Sequence, residues 1–113
     1  MNAGSNYTQE LAFTLAKLTD YIDKLEAEGV TAKEVFGNAM PIMGLNTDYF
    51  FEIAKFRALR ALWIEFEALY NTGLDPKSVK IGAESSVWAV AKYDPYVNML
   101  RSTTEGMSAV LGG

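Results

Sequence analysis

The sequence predicts an α/β fold in which helices outnumber strands, and it fits a segment excised from a (β/α)8 barrel or a similar layered domain. Helical spacing of apolar residues alternates with short β-type runs in the order helix, strand, helix, strand, helix. This alternation is typical of parallel strands joined by right-handed helical crossovers. Two strands cannot cover three helices, and a parallel sheet normally has both faces covered. The remaining covering elements are therefore expected outside this chain.

The first helix is predicted over residues 8–28. Asn6 followed by Gln9 forms a capping box, and Gly29 favours a stop. A second capping box, at Thr31 and Glu34, predicts a short turn of helix after it. Apolar residues recur at three- and four-residue intervals and predict one core-facing stripe, formed by Leu11, Leu15, Leu18, Ile22 and Leu25.

The central run, residues 50–63, predicts a long helix that is apolar on most of its circumference. A helix of this kind must be covered on more than one side. Asn46 or Thr47 is expected to cap it, and Gly73 is expected to follow its end. Strands are predicted on either side of it, at residues 39–43 and 79–83, the second after a turn at residues 75–77.

The last helix is predicted to begin with Asp94 as its cap and Pro95 at its first position. Its spacing predicts a buried stripe on one face, formed by Val97, Leu100, Thr104, Met107 and Leu111.

Composition excludes several classes of function. The chain has 113 residues, of which 50% are apolar and 21% charged, and its net charge is −4, with no basic stripe. This composition predicts a folded domain that binds no nucleic acid. No stretch is apolar and long enough to span a bilayer, and the first residues do not resemble a signal peptide, so no membrane contact and a cytoplasmic location are expected.

The chain contains no His and no Cys. It therefore offers no Ser-His-Asp triad, no thiol nucleophile and no ordinary nitrogen–sulfur zinc site. The carboxylates that lie close in sequence are interpreted as solvated faces of helices. These are Asp20 with Asp23, Glu26 with Glu28, and Glu65 with Glu67.

Three strings of the sequence resemble the methylmalonyl-CoA mutase family, whose members are adenosylcobalamin-dependent acyl-CoA mutases. They are QELAFTLA at residues 9–16, FFEIAKFRALRALW at residues 50–63 and PYVNMLRSTTE at residues 95–105. The resemblance spans nearly the whole chain in order. It implies that residues 2–113 are the central segment of the substrate-binding barrel, a TIM barrel, and that the cobalamin-binding domain is absent from this chain.

The resemblance also implies what the parent complex does. In this family the radical supplied by adenosylcobalamin interconverts succinyl-CoA and methylmalonyl-CoA, a step of propionate metabolism, while the barrel positions the acyl group. The parent complex is thus expected to be an isomerase that uses adenosylcobalamin. This chain alone is expected to be inactive and to bind no cofactor itself.

Matching the family pattern without gaps places lost site residues at three positions. An Arg that grips the substrate carboxylate falls at Asn38, the catalytic His falls at Gly82, and a neighbouring Gln falls at Glu84. Asn38 and Gly82 are then expected on neighbouring strands, near their carboxyl ends, with converging side chains. Trp88 and Asp94 keep the pattern.

The scaffold positions match while the chemical positions do not, which implies the non-catalytic small subunit of a heterodimer. Its expected partner is the catalytic large subunit, and no catalytic, cofactor-binding or metal residue is expected in the chain. Two alternatives remain: a barrel segment of a mutase for another acyl-CoA, and a small helical interaction domain. Apolar helix faces and unpaired strand edges further predict that the isolated segment self-associates.

Overall fold

The computed structural model describes residues 3–113, without the side chain of Pro76. Four helices and two strands follow one another along the chain: α1 (Tyr7–Ala27), α2 (Ala32–Asn38), β1 (Ile42–Leu45), α3 (Tyr49–Tyr70), β2 (Gly82–Ser85) and α4 (Pro95–Gly112). Short 3-10 turns lie at Pro76–Ser78 and Val87–Ala89. The helix-rich α/β order predicted from the sequence is confirmed.

The two strands pair in parallel, with Ile42 opposite Gly82 and Leu45 opposite Ser85. Since α3 connects them, β1, α3 and β2 form a βαβ unit. The predicted strand bounds, residues 39–43 and 79–83, are wrong, because both strands start later along the chain. The ladder begins where the Gly82 N–H donates to the Pro41 carbonyl at 2.8 Å.

The caps explain where the helices begin. Asn6 with Gln9, and Thr31 with Glu34, form the two predicted capping boxes of α1 and α2. Asp94 caps α4 by accepting two backbone N–H groups, as predicted. The expected cap of α3 is wrong, because Asp48 takes that position and makes no side-chain cap bond.

Helix α3 contributes residues to two small hydrophobic cores. One joins α1, α2 and α3, and it contains Leu18, Ile22, Phe36 and Trp63. The other joins β1 to α3, and it contains Met43, Leu45, Phe56 and Leu59. The predicted stripe of α1 is confirmed at Leu18 and Ile22, whereas Leu25 is exposed. Coverage of α3 is incomplete, since Phe50 remains 81% exposed.

The predicted buried stripe of α4 is wrong. Leu100, Met107 and Leu111 are exposed, whereas Glu105, Ser108 and Gly112 face the interior. Small residues on this face allow α4 to approach α3 closely. A Cβ atom on Gly112 would lie 2.8 Å from the Phe56 Cβ and 2.9 Å from the Ile53 carbonyl oxygen. Most of the large apolar residues of α4 therefore point outward, whereas Ala109 packs against the core between β1 and α3.

The described chain is elongated. Its radius of gyration is 15.6 Å and its extents are 50 × 24 × 20 Å, whereas a compact domain of this length has a radius of gyration of about 13 Å. Within residues 3–113, no helix combines the length and apolar character needed to cross a membrane. The described part thus packs along α3 rather than around one closed core.

Candidate functional site: a charged cluster at the carboxyl end of β1

Three buried charged residues and two polar neighbours that are less buried gather where β1 ends and α3 begins. We name this group, consisting of Tyr7, Glu10, Asp48, Glu52 and Lys55, the Lys55 cluster. It joins three elements, because Tyr7 and Glu10 lie on α1, Glu52 and Lys55 lie on α3, and all of them surround the chain from Gly44 to Asp48. Reactive groups of barrel enzymes occupy the corresponding end of their strands, which makes the cluster the first candidate for a site.

Lys55 is at the centre of the cluster and its side chain is fully buried. Its Nζ lies 2.6 Å from Glu52 Oε2 and 3.1 Å from Glu10 Oε2. The same ammonium donates a hydrogen bond to the carbonyl of Gly44. Because a buried ammonium is costly unless it is paired and hydrogen-bonded, these three contacts are what permits Lys55 to be buried.

The two carboxylates also bind the backbone. Glu10 Oε1 accepts the Gly44 N–H at 2.8 Å, and Glu52 Oε1 accepts the Asn46 N–H at 3.0 Å. Both backbone groups of Gly44 are thus bound by side chains, the N–H by α1 and the carbonyl by α3. Side chains here take the place of a strand partner.

The direction of the ladder shows which edge Gly44 faces. The carbonyls of Pro41 and Leu45 accept N–H groups from Gly82 and Ser86. Backbone groups of successive residues in a parallel ladder point to alternate sides, so those of Gly44 point away from β2. The Lys55 cluster therefore lies beside the edge of β1 that does not face β2.

Tyr7 closes the cluster on the side of α1. Its hydroxyl donates to Asp48 Oδ2 at 2.9 Å, and its ring stacks on Phe51 with centroids 5.7 Å apart. Burial, together with the hydrogen bond to the Asp48 carboxylate, raises the pKa of Tyr7. The phenol therefore stays neutral and serves as a hydrogen-bond donor.

Burial also raises the pKa of Glu52, and the nearby Lys55 ammonium opposes this shift only in part. Perturbed carboxyl groups are often catalytic, but structural ion pairs perturb pKa values as well. Three cavities of about 350, 500 and 370 Å³ are lined by other residues. The geometry of the Lys55 cluster therefore suits holding β1 against α1 and α3 rather than proton transfer to a bound ligand.

Comparison with known proteins places this arrangement in a family. The family model described as methylmalonyl-CoA mutase matches residues 1–113. The chain is 38% identical over 114 aligned residues to the methylmalonyl-CoA mutase small subunit of Porphyromonas gingivalis, covering 99% of the chain and 18% of that protein. The chain belongs to the methylmalonyl-CoA mutase family.

Relatives of similar identity include one that is named simply methylmalonyl-CoA mutase and a second one that is named a small subunit. The methylmalonyl-CoA mutase of Escherichia coli is 34% identical over 98% of the chain and 16% of its own length. The small subunit of Propionibacterium freudenreichii is 35% identical over 99% of the chain and 18% of its own length. The chain thus spans less than a fifth of the length of these relatives. Sequence identity does not separate the relatives named small subunits from the one named simply methylmalonyl-CoA mutase.

Within this mutase-family chain, Asn38 does not lie on a strand, so that prediction is wrong. It is the last residue of α2, and its side-chain amide donates to the Glu34 carbonyl at 2.8 Å. The physical reason is the capping box at Thr31 and Glu34, which starts a helix that runs as far as Asn38. The expected convergence of Asn38 and Gly82 from neighbouring strands is absent.

Gly82 lies on a strand as predicted, but at its amino end rather than its carboxyl end. A Cβ atom there would lie 3.1 Å from the Ile42 Cγ1, a tight contact with β1 that a small shift of the exposed Ile42 side chain could relieve. Glu84 lies further along β2, opposite Gly44, and is exposed. Of the three positions, Glu84 is the one that lies in the carboxyl half of a strand.

The sequence interpretation missed the buried charges. Glu52 and Lys55 share the spacing of the buried residues Phe56 and Leu59, and that spacing is the signal that could have placed them in the interior. Glu67, interpreted as solvated, is also buried and accepts a hydrogen bond from the Thr72 hydroxyl. The other members of the close carboxylate pairs are exposed as predicted.

The residues present do not suit a cobalt ion. The whole chain lacks His and Cys, and the described residues form no group of three or more metal-ligating side chains. Carboxylates of the Lys55 cluster are engaged by an ammonium and by backbone N–H groups. Nothing in the donor set of this chain therefore matches the metal of a corrin cofactor.

Proposed function

We propose that this chain is a segment of the (β/α)8 substrate-binding barrel of a methylmalonyl-CoA mutase complex. The order β1, α3, β2, α4, with the two strands parallel, is the order that two consecutive strand–helix units of such a barrel would have. Incomplete coverage of α3 and the elongated shape support a segment that other parts of the barrel would enclose.

We further propose that the segment supplies scaffold and no chemistry, as expected of a non-catalytic small subunit. The observation that carries this proposal is the Lys55 cluster, whose carboxylates and ammonium bind the backbone of Gly44 and Asn46. Charged groups engaged in this way are not free to act on an acyl-CoA. The absence of His from the sequence gives further support. Gly82 adds little, because it lies at the amino end of β2 and close to Ile42.

The proposed partner is a second mutase chain, the catalytic large subunit. The names of two relatives, both called small subunits, support this assignment. The outer face of α4 supports it as well, since it carries Tyr96, Met99, Met107 and Val110 at helical spacing, all more than half exposed. In a barrel, neighbouring helices cover the flanks of each helix. An apolar face on the outside of the helix ring is typical of contact with another domain or subunit.

Adenosylcobalamin belongs to this proposal only through the parent complex, where it supplies the radical chemistry. This chain offers no cobalt ligand, so the cofactor would be held by other parts of the assembly. The cytoplasmic location of the complex stays a prediction.

The test uses the full-length polypeptide that contains this segment. It is purified alone and together with the homologous mutase chain encoded in the same genome. Conversion of methylmalonyl-CoA to succinyl-CoA is measured with saturating adenosylcobalamin. We expect turnover only in the presence of the second chain, and co-purification of the two chains in a fixed ratio. Turnover by the full-length polypeptide alone, at the rate of the mixture, would contradict the non-catalytic assignment.

A further inference from the structure

The edge of β1 that faces away from β2 is hydrogen-bonded along only part of its length. Backbone groups of successive residues alternate between the two edges, so those of Ile42 and Gly44 share the outer edge. Glu10 binds the Gly44 N–H and Lys55 binds the Gly44 carbonyl. No residue in the described part of the chain forms a hydrogen bond with the N–H or the carbonyl of Ile42. The outer edge is therefore occupied at Gly44 and unpaired at Ile42.

A cavity of about 370 Å³ lies beside the unpaired part of this edge. Residues 39–42 line it on the side of β1, Leu18 and Tyr21 line it on the side of α1, and Trp63 of α3 also contributes. The lining is mainly apolar and the cavity is partly open to solvent. The Ile42 side chain is 60% exposed. A space therefore remains between α1 and the start of β1.

An unpaired strand edge is a template on which another strand can pair. In β-augmentation, an extended peptide binds such an edge through backbone hydrogen bonds and places alternate side chains in neighbouring pockets. A strand that pairs with Ile42 would accept its N–H and donate an N–H to its carbonyl. Side chains on one face of that strand would lie against Leu18 and Tyr21. The edge and the cavity together thus fit an extended peptide with apolar side chains.

We propose that Ile42 pairs with an extended apolar strand of the same, longer polypeptide, and that this strand leaves β1 before Gly44. The proposal rests on the function proposed above, a segment of a barrel whose strands are all parallel. The chain spans less than a fifth of the length of its relatives, so the rest of such a polypeptide has strands to supply. Glu10 and Lys55 hold both backbone groups of Gly44, and the added strand finds no free partner there. The Lys55 cluster thereby sets the point at which the two strands separate.

Amide hydrogen exchange tests this proposal on the full-length polypeptide that contains the segment, purified alone and without substrate. Residue-resolved mass spectrometry follows the amides of Ile42 and Gly44. The Gly82 amide, which donates to the Pro41 carbonyl, is the internal reference. We expect the Ile42 amide to exchange as slowly as that of Gly82, both in the wild type and in Glu10→Ala. The Gly44 amide should exchange about tenfold or more faster in Glu10→Ala, as for the loss of a hydrogen bond to a charged group.

The matched control is Glu26→Ala, which removes an exposed carboxylate from the same helix and should change neither amide. Three results overturn the proposal. The first is an Ile42 amide that exchanges as fast as in an unstructured peptide. The second is an Ile42 amide that is protected only at higher protein concentration or after addition of the second mutase chain, because the strand then comes from another molecule. The third is a Gly44 amide that stays protected in Glu10→Ala.

A second measurement covers the case in which Glu10→Ala does not fold. In a crystal structure of the wild-type full-length polypeptide, a backbone carbonyl within hydrogen-bond distance of the Gly44 nitrogen would equally overturn the proposal, and it would leave the barrel segment intact. Turnover by the polypeptide alone would overturn the non-catalytic assignment and leave the pairing at Ile42 intact. The two proposals therefore fail on different results.

Discussion

Lys55 on α3 and Glu10 on α1 form a buried ion pair with 3.1 Å between Nζ and Oε2, and each of them also binds Gly44. The pair thereby connects two helices that are distant in sequence to the same residue of β1. Removing one partner of a buried pair leaves the other charge uncompensated, so its removal costs far more than its formation contributes. A substitution of one member of the pair should therefore have a large, measurable effect on the free energy of unfolding.

Lys55→Met removes the ammonium that pairs with the buried carboxylates of Glu10 and Glu52. We expect the free energy of unfolding to fall by about 3–5 kcal/mol, the range for breaking one side of a buried pair. Urea denaturation followed by circular dichroism measures it. The matched control is Lys24→Met, which breaks the exposed pair with Asp20 and should leave the midpoint nearly unchanged. Equal effects of the two substitutions would contradict the account.

Glu52 should make a contribution to stability that decreases as pH rises. Burial raises the folded-state pKa of Glu52 above its ordinary value of 4.5, so folding favours the protonated carboxyl. Its stabilising contribution is fully present below pH 4.5 and is lost as pH rises through the folded-state pKa. Relative to Glu52→Gln, the wild type should therefore lose stability as pH rises from 4.5 through the folded-state pKa of Glu52. Urea midpoints across a pH series measure the difference.

Glu34 serves as a control, because its contribution to stability should change with pH in the opposite direction. Its hydrogen bonds from the Thr31 backbone and hydroxyl lower the pKa of Glu34 below 4.5. Its contribution is present above that pH and is lost as pH falls through the folded-state pKa. Relative to Glu34→Gln, the wild type should gain stability as pH rises. Two difference curves of the same slope would show that the assigned environments are wrong.

Gly112 is where α4 approaches α3 most closely, and a methyl group there would contact both the Phe56 side chain and the backbone of Ile53. We expect Gly112→Ala to destabilise the chain by about 1–3 kcal/mol, as for overpacking of an interior. Gly106 lies on the same helix with nothing within 4 Å of its added Cβ. Gly106→Ala should therefore stabilise by about 0.5–1 kcal/mol. Thermal unfolding of both variants gives the comparison, and a stabilised Gly112→Ala would contradict the close packing.

The isolated chain should self-associate through the faces that its own elements leave uncovered. Phe50 and Val110 are each 81% exposed, and apolar surface contributes about 25 cal/mol per Å² when it is buried. Light scattering at micromolar concentration should give a dimer or a larger species, and Val110→Glu should reduce its fraction. A well-folded monomer in the wild type would contradict both this prediction and the barrel-segment proposal.

Local signals in the sequence predicted the helices well. The capping residues Asn6, Thr31 and Asp94 each bind the backbone groups that the sequence indicated, because capping depends on neighbours three residues apart or fewer. The family resemblance was also correct, since it rests on strings of the sequence itself.

Features that depend on distant contacts were not predictable in this way. The face of α4 that packs inward is one example. Its apolar periodicity predicted a buried stripe at Leu100 and Met107, but the buried face carries Ser108 and Gly112. Small residues there permit close approach to α3, and periodicity alone does not register such an approach. The burial of Lys55 is another, because its partner Glu10 lies on a different helix. The prediction that Asn38 lies on a strand was wrong, because matching positions to the family pattern without gaps takes no account of the helix that begins at the Thr31 cap.

The central claim is that this segment supports the barrel and performs no chemistry, and Glu84 tests it most directly. Glu84 is exposed in the carboxyl half of β2, whereas Ser85, the other polar residue of the two strands, is half-buried. Glu84 is therefore the more accessible of the two to a substrate. The measurement is kcat/KM for methylmalonyl-CoA in the assembled complex, with wild-type and Glu84→Ala chains of equal circular dichroism. We predict values equal within about twofold, whereas a loss of about tenfold or more, equivalent to about 1.4 kcal/mol of transition-state stabilisation, would contradict the claim.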